Sequence, residues 1–275
     1  MKLIWLTDIH LNFLNKEKRL EFYKKVKDAD GENVIITGDI AEAPNIVEVL
    51  KEMAECINKS IYFVLGNHDY YRGDVFSVRQ QMVELTLNYN FLFWLPESKY
   101  IDLDDDTILV GQDCWADGGY GDYRNSNVRM TDSILIQDLN VGGMFNRPTK
   151  IDSHPVLQRM QELAKYDACI LKQNLDMDFK EGLPKKVIIL THVPPFKESC
   201  LFERKPTGKD YLPFYASKVT GDLIKKVAKK HPSIDFMVLS GHTHHEGEFR
   251  HSSNLTSRVG KSEYYYPEIQ DIITV

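Results

Sequence analysis

Five groups of side chains that can bind metal ions each follow a short apolar stretch of the chain. In chain order, the groups are Asp8 with His10, Asp39, Asn67 with His68, His192, and His242 with His244. Imidazole nitrogens, carboxylates and an amide oxygen are ligands that suit Mn, Fe or Zn ions. None of the four cysteines belongs to a group, which argues against a closed structural zinc site.

The joint pattern is more informative than any single group. A Gly-Asp pair is common in turns, and a lone loop histidine can simply be satisfied by a neighbour. His242 and His244 alternate in sequence, and alternate residues of an extended chain point the same way, so both can face one site. Seven nitrogen and oxygen ligands exceed the need of one tetrahedral ion. They suit two divalent ions that share a bridging carboxylate and keep open positions for water and substrate.

The apolar stretches are predicted strands in a pattern that alternates with helices. Strands are predicted at 3–7, 34–37, 61–65, 187–191 and 236–240, and helices at 16–27, 74–87, 156–171 and 217–230. Such alternation is typical of βαβ units with largely parallel strands, whose carboxyl ends meet at one edge of the sheet. Ligands bind at that edge in α/β proteins. The tail, 247–275, is expected to add edge strands.

The bulk properties of the chain fit a globular protein and argue against several other classes. Its 275 residues are 43% hydrophobic and 27% charged, and we expect a single domain over 1–275. The net charge of −6 gives no basic surface for nucleic acid. Apolar runs are too short for a membrane span or a signal peptide. Four scattered cysteines without a CxxC pair indicate free thiols and a cytoplasmic protein; the oligomeric state stays open.

The segment 112–150 differs from the alternating regions on either side. It is rich in Gly, Asp, Asn and aromatic residues, and long loops in compact domains are usually functional or disordered. We predict an inserted cap-like segment. Its candidate substrate contacts are Trp115, Tyr120, Tyr123, Arg124 and Arg129. The loop 196–215 is a second candidate wall, with Tyr211, Phe214 and Tyr215.

In order and spacing, the five groups resemble the signature of the calcineurin-like metallophosphoesterase superfamily: D-x-H, GD-x-x-D, GNH-[DE], a lone H and GH-x-H. The matching stretches are Asp8-Ile9-His10, Gly38-Asp39-Ile40-Ala41-Glu42, Gly66-Asn67-His68-Asp69, His192 and Gly241-His242-Thr243-His244. The resemblance covers nearly the whole chain. It implies an α/β fold, specifically a four-layer αββα sandwich of two mixed β-sheets flanked by helices.

The resemblance also implies a role for each residue of the signature. The first metal ion would be held by Asp8, His10 and His244, the second by Asn67, His192 and His242, and Asp39 would bridge the two. His68 would bind no metal and would act as general acid toward the leaving oxygen. Glu42 stands where the family often has Asp. Either Glu42 or Asp69 would keep His68 protonated, and Glu42 is the favoured partner.

A departure from the family pattern narrows the range of activities that the resemblance implies. Ala43 and Pro44 follow Glu42, where phosphoprotein phosphatases carry an arginine that clamps phosphate. The sequence therefore looks closer to the bacterial phosphodiesterase-like branch, which includes class III cyclic-nucleotide phosphodiesterases. We expect a phosphodiesterase of small-molecule phosphoesters with a metal-bridging hydroxide as nucleophile. The alternatives are a phosphomonoesterase or pyrophosphatase and a non-catalytic metal-binding scaffold; the acidic charge disfavours a DNA nuclease.

Overall fold

The computed structural model describes residues 1–141, 153–176 and 184–275. Strands and helices alternate along these ranges, as the apolar pattern predicts. The strands are β1 (Lys2–Leu6), β2 (Asn33–Thr37), β3 (Ile61–Val64), β4 (Leu92–Trp94), β5 (Ile101–Asp102), β6 (Thr107–Gln112), β7 (Lys186–Thr191), β8 (Leu201–Phe202), β9 (Lys205–Pro206), β10 (Asp235–Ser240), β11 (Gly247–Ser252), β12 (Leu255–Val259) and β13 (Asp271–Thr274). The helices are α1 (Lys16–Asp28), α2 (Ile46–Ile57), α3 (Val75–Asn88), α4 (Asp132–Leu135), α5 (Ser153–Leu175), α6 (Leu212–Tyr215) and α7 (Lys218–Lys230).

The strands form two large mixed sheets. The first has the order β13-β1-β2-β3-β4, with β1 to β4 parallel and β13 antiparallel to β1. The second has the order β11-β12-β10-β7-β6-β5, with four parallel central strands and an antiparallel strand at each edge. The strands β8 and β9 form a separate hairpin. Parallel pairing brings the carboxyl ends of the central strands to one edge of each sheet.

The two sheets pack face to face, and helices cover both outer faces. Between the sheets, Trp5 and Ile35 of the first share a buried cluster with Ile188 and Leu239 of the second. Residues of α1, α2 and α3 pack on the outer face of the first sheet, and residues of α5 and α7 on that of the second. The central strands are buried on both faces, which explains their continuous apolar runs. The expected four-layer αββα sandwich is confirmed.

The tail after residue 246 departs in one respect from the expected edge strands. The strands β11 and β13 do lie at sheet edges, but β12 lies between β11 and β10. It pairs in parallel with β10, with Phe236 opposite Leu255. Leu255, Ser257 and Val259 are buried on one face of β12. The alternation of apolar and polar residues in the tail predicts strands, but it does not predict which strands they pair with.

A buried charged cluster ties the chain after β3 to the chain after β6 and β7. Nη2 of Arg79 lies 3.1 Å from Oδ2 of Asp113 and 2.9 Å from Oδ2 of Asp167. Oδ1 of Asp113 accepts a hydrogen bond from the amide of Leu65 (2.8 Å), and its carbonyl accepts one from the amide of His192 (3.0 Å). Asp113 and its partners therefore fix the loops after β3, β6 and β7 relative to one another.

The four cysteines form no disulfide and are free thiols. Within the described ranges, no helix combines the length and apolar character that crossing a membrane requires.

Candidate metal centre

The loops after β1, β2, β3, β7 and β10 meet at one edge of the sandwich. There, a first cluster contains Asp8, His10, Asp39 and His244, whose ligating atoms all lie within 4.8 Å of one another. Nε2 of His244 lies 3.2 Å from Nε2 of His10 and 3.5 Å from Oδ1 of Asp8. Asp8, His10 and Asp39 are buried, whereas His244 is partly exposed. The cluster brings together four of the predicted ligands.

A second cluster forms around the side-chain oxygen of Asn67. Oδ1 of Asn67 lies 2.9 Å from Nε2 of His192 and 2.9 Å from Nδ1 of His242. Oδ1 of Asp39 lies 3.3 Å from Nε2 of His192, while its Oδ2 lies 3.8 Å from Nε2 of His10. Asp39 therefore stands between the two clusters with one oxygen toward each, which is where a bridging ligand would lie.

Backbone carbonyls determine which ring nitrogen of His192 and His242 carries hydrogen. Nδ1 of His192 donates to the carbonyl of Thr37 (2.8 Å), and Nε2 of His242 donates to that of Phe214 (2.9 Å). Burial lowers the pKa of His192 to about 3 and the pKa of His242 below its usual value, so each neutral ring carries one N–H. Nε2 of His192 and Nδ1 of His242 therefore carry lone pairs, and both lone pairs face Oδ1 of Asn67 with no proton in between. Three converging lone pairs fit a metal ion.

The charge around Asp39 fits divalent ions as well. Burial, and then the carboxylates of Asp8 and Asp69, raise the pKa of Asp39 well above its usual value. Burial also lowers the pKa of His10 well below its usual value, which leaves that ring neutral. In the described chain, the ion-pair partners of Asp8 and Asp39 are histidines, and no lysine or arginine pairs with either. Two buried carboxylates among neutral rings call for the positive charge that divalent ions would supply.

Five of the seven candidate ligands adopt a left-handed backbone conformation. The φ angles are 47° at Asp8, 40° at His10, 53° at Asp39, 71° at His242 and 57° at His244. This conformation costs roughly 1–2 kcal/mol per non-glycine residue, and strained residues concentrate at functional sites. His242 and His244 are thus not in the extended conformation from which a shared direction was expected. Both enter the site, but His242 joins the Asn67 cluster and His244 the Asp8 cluster.

Two glycines of the signature lie directly against ligand side chains. A Cβ atom at Gly66 would lie 2.1 Å from Oδ1 of Asp39, and one at Gly241 would lie 2.1 Å from Oδ2 of Asp8. Both distances are far below a van der Waals contact. Glycine at these positions therefore allows the backbone to approach the carboxylates, which explains the glycine before Asn67 and the glycine before His242.

His68 lies beside the first cluster. Its Nε2 is 3.9 Å from Oδ2 of Asp39, and its backbone amide donates to Oδ1 of Asp39 at 2.8 Å. Its ring is stacked on that of Tyr71, with 4.2 Å between the centroids. Burial lowers the pKa of His68 to about 4, and the carboxylate of Asp132 is the largest charge acting in the opposite direction. Nδ1 of His68 has no hydrogen-bond partner among the described residues.

The two carboxylates expected to support His68 have other partners. Glu42 forms an ion pair with Arg72. Asp69 accepts hydrogen bonds at 2.7–2.8 Å from three backbone amides, those of Ile40, Ala41 and Gly66. Asp69 thus braces the loops after β2 and β3 against each other. The expectation that Glu42 or Asp69 keeps His68 protonated stays a prediction.

An open cleft of about 550 Å³ lies over the two clusters. It is lined by His68, His242 and His244 together with Phe13, Arg129, Tyr215 and Tyr264. Arg129 is thus the substrate candidate from the 112–150 segment that reaches this cleft, and Tyr215 is the one from the loop 196–215. The described part of the 112–150 segment ends at 141, and 142–150 lie outside the described residues.

The other candidates from this segment lie elsewhere. Trp115 and Tyr123 line a smaller cavity of about 50 Å³ beside Asn67. Arg124 is exposed away from the cleft, and the half-buried ring of Tyr120 contacts Lys197. None of these four residues lines the cleft, so their predicted substrate contacts lack support from the geometry.

The sequence reading missed Tyr264, whose ring centroid lies 4.7 Å from that of His10 and 5.0 Å from that of His244. It also contacts Phe13, at 5.3 Å. The run of three tyrosines that starts at Tyr264 was a usable signal, because exposed aromatic clusters often mark binding surfaces. A second missed residue, Asp132, had no such signal; a single acidic residue in an aperiodic loop has no pattern to recognise.

Comparison with known proteins shows the family of the chain and its fold. A family model described as calcineurin-like phosphoesterase matches residues 1–246. Among solved structures, the chain is similar to phosphopantetheinyl hydrolase from Mycobacterium tuberculosis, with a TM-score of 0.66, 13% identity, and 96% of this chain and 89% of that chain covered. It is also similar to a dimetal phosphatase from Danio rerio, with a TM-score of 0.57, 14% identity, and 95% and 87% covered. No curated protein matches the sequence.

At these identities the structural matches establish the fold alone, whereas the family model spans most of the chain. The chain belongs to the calcineurin-like phosphoesterase family and is a metal-dependent phosphoester hydrolase.

Proposed function

We propose that this hydrolase is a phosphodiesterase that acts on small phosphoesters with two divalent metal ions. The observation that carries the preference for diesters is the charge of the cleft. Arg129 is the one lysine or arginine among the described residues that line it. A monoester has a second phosphate pKa of about 6 and so carries nearly two negative charges at neutral pH, whereas a diester carries one. One arginine suits the single charge.

Aromatic residues of the cleft support the same preference. Phe13, Tyr215 and Tyr264 line it and offer apolar surface to the second ester group of a diester. Phe13 and Tyr264 are also partly exposed, so an incoming group can reach them. The terminal phosphate of a monoester has no such group to bury.

In this proposal the ions are Mn, Fe or Zn, and each ligand keeps the role expected from the family signature. Asp8, His10 and His244 would hold the first ion, Asn67, His192 and His242 would hold the second, and Asp39 would be shared by both. When bound, such ions neutralise phosphate oxygens and lower the pKa of a water nucleophile. The fixed N–H of His192 and of His242 keeps the other ring nitrogen of each histidine free as a ligand.

His68 supplies the proton to the leaving oxygen. Its ring faces the cleft beside Asp39 and is held by the stack on Tyr71. Burial keeps its pKa near 4 without substrate. A phosphate anion in the cleft adds negative charge next to the imidazole, which favours the protonated ring and so raises its pKa.

The test compares hydrolysis of bis-p-nitrophenyl phosphate and p-nitrophenyl phosphate by protein reconstituted with Mn²⁺. We expect a higher kcat/KM for the diester. Arg129→Gln should lower that value, and Arg124→Gln, an exposed arginine away from the cleft, is the matched control that should not. Preference for the monoester would favour a phosphatase or pyrophosphatase. If the protein binds two ions but hydrolyses neither substrate, the result would favour a non-catalytic metal-binding scaffold.

We also propose a cytoplasmic location. It is supported by four free cysteines, since secreted proteins commonly oxidise such residues. Cell fractionation tests it, and recovery of the native protein from an oxidising compartment would contradict it.

A further inference from the structure

Asp132 lies in the 112–150 segment as the first residue of α4, outside every group of candidate ligands. Its Oδ1 accepts a hydrogen bond from Nδ2 of Asn67 at 2.9 Å and another from the hydroxyl of Tyr71 at 2.7 Å. Asn67 is 65 residues away in sequence and Tyr71 is 61 residues away. One carboxylate oxygen therefore joins the 112–150 segment to the loop after β3.

The hydrogen bond to Asn67 decides how its amide is turned. An amide has an NH₂ end that only donates and an oxygen end that only accepts. Because a carboxylate only accepts hydrogen bonds, the NH₂ end of the Asn67 amide is the end that faces Asp132. The oxygen end is thereby directed toward Nε2 of His192 and Nδ1 of His242, each 2.9 Å away. An amide turned the other way would present N–H groups to those lone pairs and could not bind a cation.

We propose that Asp132 is a positioning residue for the second metal site: it fixes the Asn67 amide with its oxygen toward His192 and His242. The proposal rests on the two-ion assignment of the proposed function. Through Tyr71, whose ring is stacked on His68, the same carboxylate also restrains the residue beside the leaving group. Partners that orient metal ligands in this way typically account for about 10–100-fold in metal affinity.

A purely structural role for Asp132 makes a different prediction. If Asp132 only anchored its segment, its loss would loosen the whole sheet edge and weaken both ion sites together. Asp138 provides the comparison, because it anchors the same segment away from the metal ligands. Its Oδ2 accepts from the amide of Val75 at 2.7 Å, and its Oδ1 pairs with Arg159 at 2.6 Å.

The experiment uses the full chain as wild type, Asp132→Ala, Asp132→Asn and Asp138→Ala. Mn²⁺ binding is measured by equilibrium dialysis with elemental analysis, and paired ions by the spin-coupled signal in electron paramagnetic resonance. We expect two ions in the wild type. In Asp132→Ala the second ion should bind about 10–100-fold more weakly, with the first unchanged and the coupled signal replaced by that of isolated Mn²⁺. Asp132→Asn keeps an acceptor oxygen and should show a smaller loss, and Asp138→Ala should keep both ions.

Several results would overturn the proposal. One is wild-type affinity for both ions in Asp132→Ala; another is an equal loss of both ions in Asp132→Ala and Asp138→Ala. If Asp132→Ala does not fold, Asp132→Leu decides, because leucine has a similar size and no acceptor oxygen; wild-type binding of its second ion would count against the role. A wild type that binds fewer than two ions would instead remove the two-ion assignment itself. These outcomes depend on ion binding alone, so they are separate from any failure to hydrolyse a diester.

Discussion

Nε2 of His10 lies 3.2 Å from Nε2 of His244, although 234 residues separate them in the chain. His10 follows β1 of the first sheet and His244 follows β10 of the second, so the pair joins the two sheets at their common edge. An ion held between these nitrogens would be bound by both halves of the sandwich. Ion binding should therefore stabilise the folded chain.

Removal of metal should lower the melting temperature, and Mn²⁺ should restore it. A ligand that binds only the folded state at about 100 times its Kd adds about 2.7 kcal/mol of stability. We expect this stabilisation to be reduced in His244→Ala, which deletes one candidate ligand of the first cluster. Differential scanning fluorimetry with EDTA and then Mn²⁺ measures the effect. His231→Ala is the control, and an equal Mn²⁺ response in all three proteins would contradict the prediction.

Gly66→Ala should disrupt metal binding. The added Cβ would lie 2.1 Å from Oδ1 of Asp39 and 2.5 Å from its backbone nitrogen, so the carboxylate of Asp39 must move. Gly208→Ala is the matched control, because a Cβ there has no atom within 4 Å. Elemental analysis after dialysis against Mn²⁺ should show fewer ions in Gly66→Ala and the wild-type number in Gly208→Ala. Full occupancy in Gly66→Ala would show that the site tolerates the methyl group.

His68→Ala should keep both ions and lose activity. General-acid catalysis typically contributes about 10²–10⁴-fold, and the loss should be largest for esters with poorly acidic alcohols as leaving groups. The measurement is kcat for an alkyl ester and for a p-nitrophenyl ester, together with metal content. A similar kcat in variant and wild type on the alkyl ester would remove His68 from proton transfer.

Arg79→Met should destabilise the fold by about 3–5 kcal/mol, because it leaves the carboxylates of Asp113 and Asp167 buried without their cation. Lys185→Met removes a cation whose side chain is 77% exposed in its pair with Asp106. An exposed pair of that kind contributes little to stability, because solvent and salt screen it. Urea unfolding measures both, and comparable losses would mean that burial does not set the strength of the Arg79 cluster.

Much of the fold could be predicted from the residues. The strand predicted at 34–37 is β2 (Asn33–Thr37), and the helix predicted at 74–87 is α3 (Val75–Asn88). The bounds agree closely because buried strands are continuously apolar. At α3, Asp74 marks the start by accepting a hydrogen bond from the amide of Ser77 at 2.9 Å. The order of elements along the chain does not predict that β13 returns to the first sheet and pairs with β1. Segments far apart in sequence pair according to how they pack in three dimensions.

The sequence by itself determined which side chains can bind metal, because donor chemistry and position after a buried strand are local properties. Only the tertiary structure decided how they combine. His192 and Asn67 are 125 residues apart in the chain and meet because loops of the two sheets converge. His242 and Phe214 are 28 residues apart, and the carbonyl of Phe214 selects which ring nitrogen of His242 carries hydrogen. The approach of Asp132 to Asn67 is of the same kind. Such contacts depend on left-handed backbone angles and on loop packing, which residue spacing does not contain.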